Sequence, residues 1–327
     1  MKPFEYTKPK TVREALSSAT RHSHYIAGGT NLVDLMKKEI DEPDKLLDIT
    51  NTLPDQIEVK DNGVVIGAMV RNTAIAVNKI ILESWPLLSK AILKGASPQI
   101  RNMASAGGNL LQRTRCPYFY DLTLPCNKRK NGSGCGALKG NNRMGAIIGY
   151  SDACVAVHPS DMCVALAALD AKVNIQKADG SEETMNFLDF HRLPGTNPEK
   201  DNNLPENALI TSIFVPKNNF SKHFEYLKLR DRESYAFALV SVAAALDMDG
   251  NQISEARLAS GGVAHKPWRW TKAEDFLKGK QATAENFAEA ARIAAEDTAP
   301  LSTNAFKVPL LKGAIETALH TCLTNKA

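Results

Sequence analysis

Four cysteines, Cys116, Cys126, Cys135 and Cys154, fall within one loop-rich stretch at spacings of ten, nine and nineteen residues. Four thiolates on one segment are a donor set for an iron-sulfur cluster. Zinc is disfavoured, because ribbons and fingers bring their cysteines in as close pairs and the chain has no C-x-x-C. Unpaired thiols and disulfides stay open on spacing alone, with reduced thiols the rule in the cytosol. The connecting residues, Cys116-Pro117-Tyr118 through Pro125-Cys126-Asn127 to Gly132-Ser133-Gly134-Cys135-Gly136, are rich in Gly, Pro and Asn and can wrap a bulky ligand without a hydrophobic core. Cys163, in the apolar stretch from Asp161 to Leu166, and Cys322, in the last expected helix, read as small buried side chains and not as ligands.

Two glycine pairs stand upstream of the thiols. At Gly28-Gly29-Thr30-Asn31 the missing Cβ atoms let the backbone approach a phosphate, with N–H groups pointing inward and Thr30 and Asn31 adding side-chain hydrogen bonds. Ala104-Ser105-Ala106-Gly107-Gly108-Asn109-Leu110 offers a second such turn. Neither is the G-x-G-x-x-G of a dinucleotide-binding Rossmann unit, so an ordinary strand-to-helix turn is the plain alternative for each. Together with the thiols they suggest a cluster beside a nucleotide cofactor. The seven histidines form no evident catalytic constellation; His158 and His265 lie nearest the motifs, and His158, before Pro159, reads as structural.

These residues need elements to position them, and the sequence divides into three segments. The first, residues 1–55, opens with the capping box Thr11-x-x-Glu14, then a strand around Tyr25 to Ala27, the glycine turn, a helix carrying Leu32, Leu35 and Met36, and a strand from Leu46 to Ile49. The second, residues 56–217, has a strand over 63–68, helices near 73–81 and 85–95, and the cysteine loop at about 113–155. Beyond that loop lie a helix capped by Ser160, a hairpin turning at Asp179-Gly180, and a strand from Leu209 to Val215. The third, residues 218–327, begins with a strand from Lys222 to Leu229. The Ala, Val and Leu run from Ala236 to Leu246 reads as a strand or a buried helix, Asp249-Gly250 marks another hairpin turn, and helices follow over 271–278, 284–296 and 307–323.

With 327 residues, 43% of them hydrophobic, the chain can bury a sizeable core and is expected to be a soluble protein of two or three domains. A formal charge of +4, with no basic stripe interleaved with aromatics, argues against nucleic acid. No run of eighteen apolar residues spans a membrane, and the start carries no secretory signal.

Read together, the motifs resemble the flavin-binding subunit of the molybdenum hydroxylases, the xanthine dehydrogenase and carbon monoxide dehydrogenase superfamily. The stretch from Ala27 through Asn31 to Lys37 resembles that family's first flavin loop, and Ala104 to Leu110 its second. The insertion, with Arg115-Cys116-Pro117-Tyr118-Phe119-Tyr120-Asp121 and Pro125-Cys126-Asn127-Lys128-Arg129, is similar to that of the flavin subunits of bacterial periplasmic aldehyde oxidoreductases, where it carries a 4Fe-4S cluster. The similarity extends through Tyr235 to Val242 and Gly261 to Trp268.

The resemblance implies an α+β architecture: a PCMH-type FAD-binding fold of two α/β subdomains, with a C-terminal domain of a small antiparallel sheet and helices. It implies FAD contacts from Tyr25, Ile26, Ala27, Gly28, Gly29, Thr30, Asn31, Leu32 and Val33, from Ser105, Gly108 and Asn109, and from Asp161, Ile210 and Lys228. Helix N-terminal charge compensation is the plain reading of Asp161, and a solvated strand lysine that of Lys228. It implies a 4Fe-4S cluster on Cys116, Cys126, Cys135 and Cys154, and no catalytic residue on this chain.

The implied partners are a large subunit with a molybdenum cofactor, where the aldehyde is oxidised, a small subunit with two 2Fe-2S clusters, and an external electron acceptor. The implied compartment is the periplasm, reached already folded on a partner's signal, with the cytoplasm as the alternative. Arg113, Arg115, Lys128, Arg129, Lys130 and Arg143 surround the thiols and read either as tuning charges or as a docking patch. A self-sufficient flavin oxidoreductase with its own substrate site is the competing function, and a cofactor-free scaffold stapled by its cysteines a further one.

Overall fold

The computed structural model describes residues 1–324. Its strands form three sheets in chain order. The first is parallel, with β1 (Glu5–Thr7) and β2 (Ser23–Ile26) flanking β3 (Lys45–Asp48). The second is antiparallel and runs β4 (Ile57–Lys60), β5 (Gly63–Gly67), β8 (Leu209–Pro216), β6 (Lys172–Gln176), β7 (Glu182–Asn186) across its width. The third, also antiparallel, is ordered β12 (Trp268–Arg269), β11 (Gln252–Gly261), β10 (Val240–Asp249), β9 (His223–Leu229). Both expected hairpin turns are present, with Asp179-Gly180 between β6 and β7 and Asp249-Gly250 between β10 and β11.

The alanine-rich run left open between strand and helix is β10, and its burial explains the ambiguity. Val240, Val242, Ala244 and Leu246 point into one core, beneath the helices Ala284–Ala295 and Lys307–Thr324. Ala243 and Ala245 point into the other, which also covers the five-stranded sheet and the helices Pro86–Lys94 and Asp161–Ala168. A strand buried on both faces has no polar alternation to betray its period of two.

The helix expected over 73–81 is two helices, Asn72–Val77 and Lys79–Ser84. Asn78 stands between them in an extended conformation, and its side chain accepts hydrogen bonds from the N–H groups of Ile80 and Ile81 at 3.0 and 3.3 Å. A short amide side chain competes with the helical ladder in this way. Ser160 caps its helix as expected, accepting from the Cys163 N–H at 3.1 Å. Thr11 accepts from the Glu14 N–H, while the Glu14 carboxylate bonds the N–H of Lys10 and not that of Thr11.

The cysteine segment follows the helix Ala106–Leu110 and contains two one-turn helices, Pro117–Tyr120 and Gly136–Lys139, joined by loops. Beneath it lies a small separate core of Leu35, Phe119 and Cys126. No helix among the described residues is long and apolar enough to cross a membrane.

Candidate functional site

The parallel strand β2 ends at Ile26, and Ala27 to Asn31 turn the chain into the helix Leu32–Lys37. Gly29 takes φ +69°, a conformation that favours glycine. Gly28 is needed for closeness: a Cβ built there would lie 1.9 Å from the Met103 carbonyl oxygen. Met103 ends the helix that leads into Ala104 and Ser105, so Gly28 is where the two glycine loops touch. The second loop is fastened from behind. Asn72 donates its N–H to the Ala104 carbonyl, Ala106 to Val70 and Gly107 to Ala68, each at 2.9 Å. Ser105, 2% exposed, caps the following short helix by accepting from the Gly108 N–H.

Between the loops and the third sheet opens a cavity of about 1170 Å³. Pockets for drug-sized ligands span roughly 300–1,000 Å³, so this one suits a ligand as long as a dinucleotide. Tyr25, Ala27, Gly28, Gly29, Thr30, Asn31, Leu32, Ser105, Gly108, Asn109, Asp161, Ile210 and Lys228 all line it. Ile26 and Val33 do not; the Val33 side chain packs behind Gly29, with its Cγ2 3.1 Å from where a Cβ of that glycine would stand.

Asp161 and Lys228, 67 residues apart, form one buried ion pair with an N···O distance of 2.7 Å. Lys228 is therefore not the solvated lysine of a strand, since its side chain is 2% exposed. The second Asp161 oxygen accepts from the Tyr226 hydroxyl at 2.7 Å, and Ser241 lies 3.0 Å from that hydroxyl. Burial and the adjacent carboxylate push the Tyr226 phenol well above its ordinary value. Tyr226 escaped the sequence reading, although strand alternation puts it on the face of Lys228, two residues on. Tyr25 donates to the Asn207 carbonyl at 3.0 Å, and burial pushes its phenol up to about 12.

The thiols gather beside this cavity. Cys126 and Cys135 face each other as an antiparallel bridge, framed by Asn127 N–H to Gly134 O at 2.7 Å and Gly136 N–H to Pro125 O at 3.0 Å. Cys116 precedes the helix Pro117–Tyr120, whose Phe119 and Tyr120 N–H groups donate to the Cys116 carbonyl at 3.0 and 3.3 Å; burial raises the Cys116 thiol pKa, with the main-chain N–H groups of Phe119 and Tyr118 opposing. The Cys154 sulfur accepts from the Ala156 N–H at 3.5 Å. Burial pushes the Cys154 thiol up to about 12, with Lys128 opposing and the neighbouring cysteines adding. All four thiols are free, and they line one small cavity together with Lys128 and Phe119. Thr114, Cys116, Ala137 and Ala156 line both this cavity and the large one.

The surrounding cations are mostly engaged. Lys128 and Arg113 both bond Asp201; Arg129 donates to the Tyr118 and Phe119 carbonyls at 2.9 Å. Arg143 forms a two-pronged pair with Asp231 at 2.7 and 2.8 Å, and Arg115 lies over the Phe237 ring. Lys130 is exposed. The Arg113 N–H also donates to the Asn31 side-chain oxygen at 2.8 Å, tying the insertion to the first glycine loop.

His158, Cys163 and His191 place their donor atoms within 4.8 Å of one another. The ring environments argue against a cation there. His191 Nε2 meets the Leu110 carbonyl at 2.9 Å and so carries its proton, leaving Nδ1 as an acceptor. His158 Nδ1 instead receives the Ser160 N–H at 3.3 Å, so Nε2 of the neutral ring carries the proton. One donor and one acceptor suit a hydrogen-bonding guest, whereas a metal wants two lone pairs and a second-shell acceptor behind each ring. Burial drives the His191 pKa down to about 4 and that of His158 well below its ordinary value.

Residues 2–218 match the family described as the FAD binding domain in molybdopterin dehydrogenase, and residues 223–320 match the CO dehydrogenase flavoprotein C-terminal domain. The aldehyde oxidoreductase FAD-binding subunit PaoB of Escherichia coli strain K12 is 46% identical over 323 residues, covering 98% of each chain. The glyceraldehyde dehydrogenase medium chain of Sulfolobus acidocaldarius is 30% identical, covering 85% of this chain and 82% of its own. Among solved structures, a carbon monoxide dehydrogenase from Hydrogenophaga pseudoflava superposes with a TM-score of 0.77 at 25% identity, covering 99% of this chain and 98% of that one.

Proposed function

The chain belongs to the family of FAD-binding domains of molybdopterin dehydrogenases, and from that premise we propose that it is the FAD and 4Fe-4S electron-transfer subunit of a molybdenum-containing aldehyde oxidoreductase. Electrons would arrive from the 2Fe-2S clusters of a small partner subunit, aldehyde oxidation would take place on a large molybdenum subunit, and an external acceptor would collect the product electrons. A flavin exchanges electrons in pairs or singly and an iron-sulfur cluster exchanges them singly, so the two together join two-electron and one-electron chemistry.

The carrying observation is that four free cysteines line one cavity whose wall, through Thr114, Cys116, Ala137 and Ala156, is also a wall of the nucleotide-sized cavity. The two glycine loops would take the cofactor's phosphates on their main-chain N–H groups, and the Asp161–Lys228 pair would fix polar edges deeper in. The cysteines would supply a sulfur donor set for iron, with the N–H groups behind Cys116 and Cys154 stabilising the thiolates. The name of the E. coli relative, an aldehyde oxidoreductase subunit, supports the substrate class.

Flavin and metal analysis of the anaerobically purified chain tests the reading. One FAD and about four iron atoms per chain are expected for this cluster type. Zinc in place of iron, or cysteines fully titratable with no metal bound, would overturn the cluster assignment while leaving the FAD assignment standing.

A further inference from the structure

The insertion turns tightly after its second cysteine, because the N–H groups of Arg129 and Lys130 both fold back onto the Cys126 carbonyl, at 3.1 and 2.9 Å. That turn sends the Lys128 side chain inward. Lys128 lines the four-thiol cavity, and its side chain is 1% exposed. Its Nζ donates to the Pro198 carbonyl at 2.9 Å and to Asp201, whose other oxygen takes the Arg113 Nε at 2.8 Å. Two cations therefore share one carboxylate, and the group keeps an excess of one positive charge beside the thiols.

Asp201 comes from a segment far along the chain that is strapped across the insertion. Glu199 accepts from the Asn131 N–H at 2.8 Å, and Ser151 donates to the Gly195 carbonyl at 2.7 Å. The carboxylate is held well below its ordinary range by Lys128 and Arg113, against the effect of burial, so it stays charged. Charges fixed in a dry site act on a neighbouring redox centre with little screening. Of the six basic side chains around the thiols, Lys128 alone lines their cavity.

We propose that Lys128 is the positioning residue that raises the reduction potential of the thiolate-bound centre, and that Asp201 limits that effect by partly neutralising it. The proposal rests on the iron-sulfur reading given above. A reduced cluster carries one more negative charge than an oxidised one, so the ammonium favours reduction and the carboxylate opposes it.

The test is an anaerobic redox titration of the full chain, followed by electron paramagnetic resonance, with iron and flavin per chain measured first. Lys128→Met should move the cluster midpoint to more negative potential, Asp201→Asn should move it to more positive potential, and Lys128→Arg should stay near the wild type. A loosened loop would not produce opposite signs from two partners of one ion pair. Shifts of the same sign, or none, in variants that keep full iron and full flavin would overturn the proposal. A wild-type chain without iron would overturn the cluster reading and this inference with it. If Lys128→Met fails to accumulate, the sign of the Asp201→Asn shift decides.

Discussion

The contact between the two glycine loops makes Gly28→Ala a sharp perturbation. A Cβ at position 28 would lie 1.9 Å from the Met103 oxygen, 2.7 Å from its carbonyl carbon and 3.2 Å from the Ala104 nitrogen. These are main-chain atoms, so no side-chain rotation relieves the clash. Carbon and oxygen must separate to at least 3.0 Å, which requires one loop to retreat by about 1.1 Å from the other. Overpacking of this kind costs about 1–3 kcal/mol. Both loops line the cofactor cavity, so the displacement falls on FAD binding, and the same energy taken from affinity weakens it roughly 5- to 150-fold. Fluorescence titration of the apo-chain with FAD measures the loss. Gly180→Ala is the control: Gly180 sits in the β6–β7 hairpin turn at φ +85° with nothing within 4 Å, so it strains the fold without touching the cavity. Wild-type FAD affinity in Gly28→Ala would refute the reasoning.

Other outcomes follow from the same contacts. Cys126→Ser should lose iron and largely keep FAD, and unchanged iron content would remove Cys126 from the ligand set. Asp161→Asn or Lys228→Met each leaves a buried charge unpaired and should destabilise by about 3–5 kcal/mol in urea titrations. The double variant should cost less than the sum, and strict additivity would argue against the pair. His191 and His265 have pKa values pushed down by burial from 6.5 to about 4. The unfolded chain therefore takes up these protons below about pH 6.5 and the folded chain only near 4, so stability should fall across that window by up to about 3 kcal/mol per histidine. A urea midpoint unchanged between pH 7 and pH 4.5 would contradict this. Gly313→Ala, exposed in the last helix with nothing within 4 Å, should raise stability by about 0.5–1 kcal/mol, read as a higher melting temperature.

Local chemistry was legible where one short segment carried it. The Ser160 cap, the two Gly-containing hairpin turns and the strand-turn-helix around Gly28 are each written within a few residues. The break at Asn78 was missed because an apolar helical pattern continues through it, and only the side chain's competition for N–H groups stops the ladder. Thiol spacing left clusters, disulfides and free cysteines open, since gathering Cys154 with the others depends on how the insertion folds back. The Asp161–Lys228 pair and the Lys128–Asp201–Arg113 group join residues 67 to 88 positions apart, and no periodicity reports contacts at that range. The basic residues read equally as tuning charges or docking surface until burial separated Lys128 from exposed Lys130.

Passage of electrons through this chain is the claim on which the account turns, and freeze-quenched spectra of the assembled complex mixed anaerobically with an aldehyde test it most directly. The account predicts that flavin bleaching and the paramagnetic signal of a reduced iron-sulfur centre assigned to Cys116, Cys126, Cys135 and Cys154 develop within the same turnover, and that Cys126→Ser abolishes that signal alone. Reduction of the small subunit's 2Fe-2S clusters by the aldehyde with the flavin of this chain remaining oxidised throughout would contradict it.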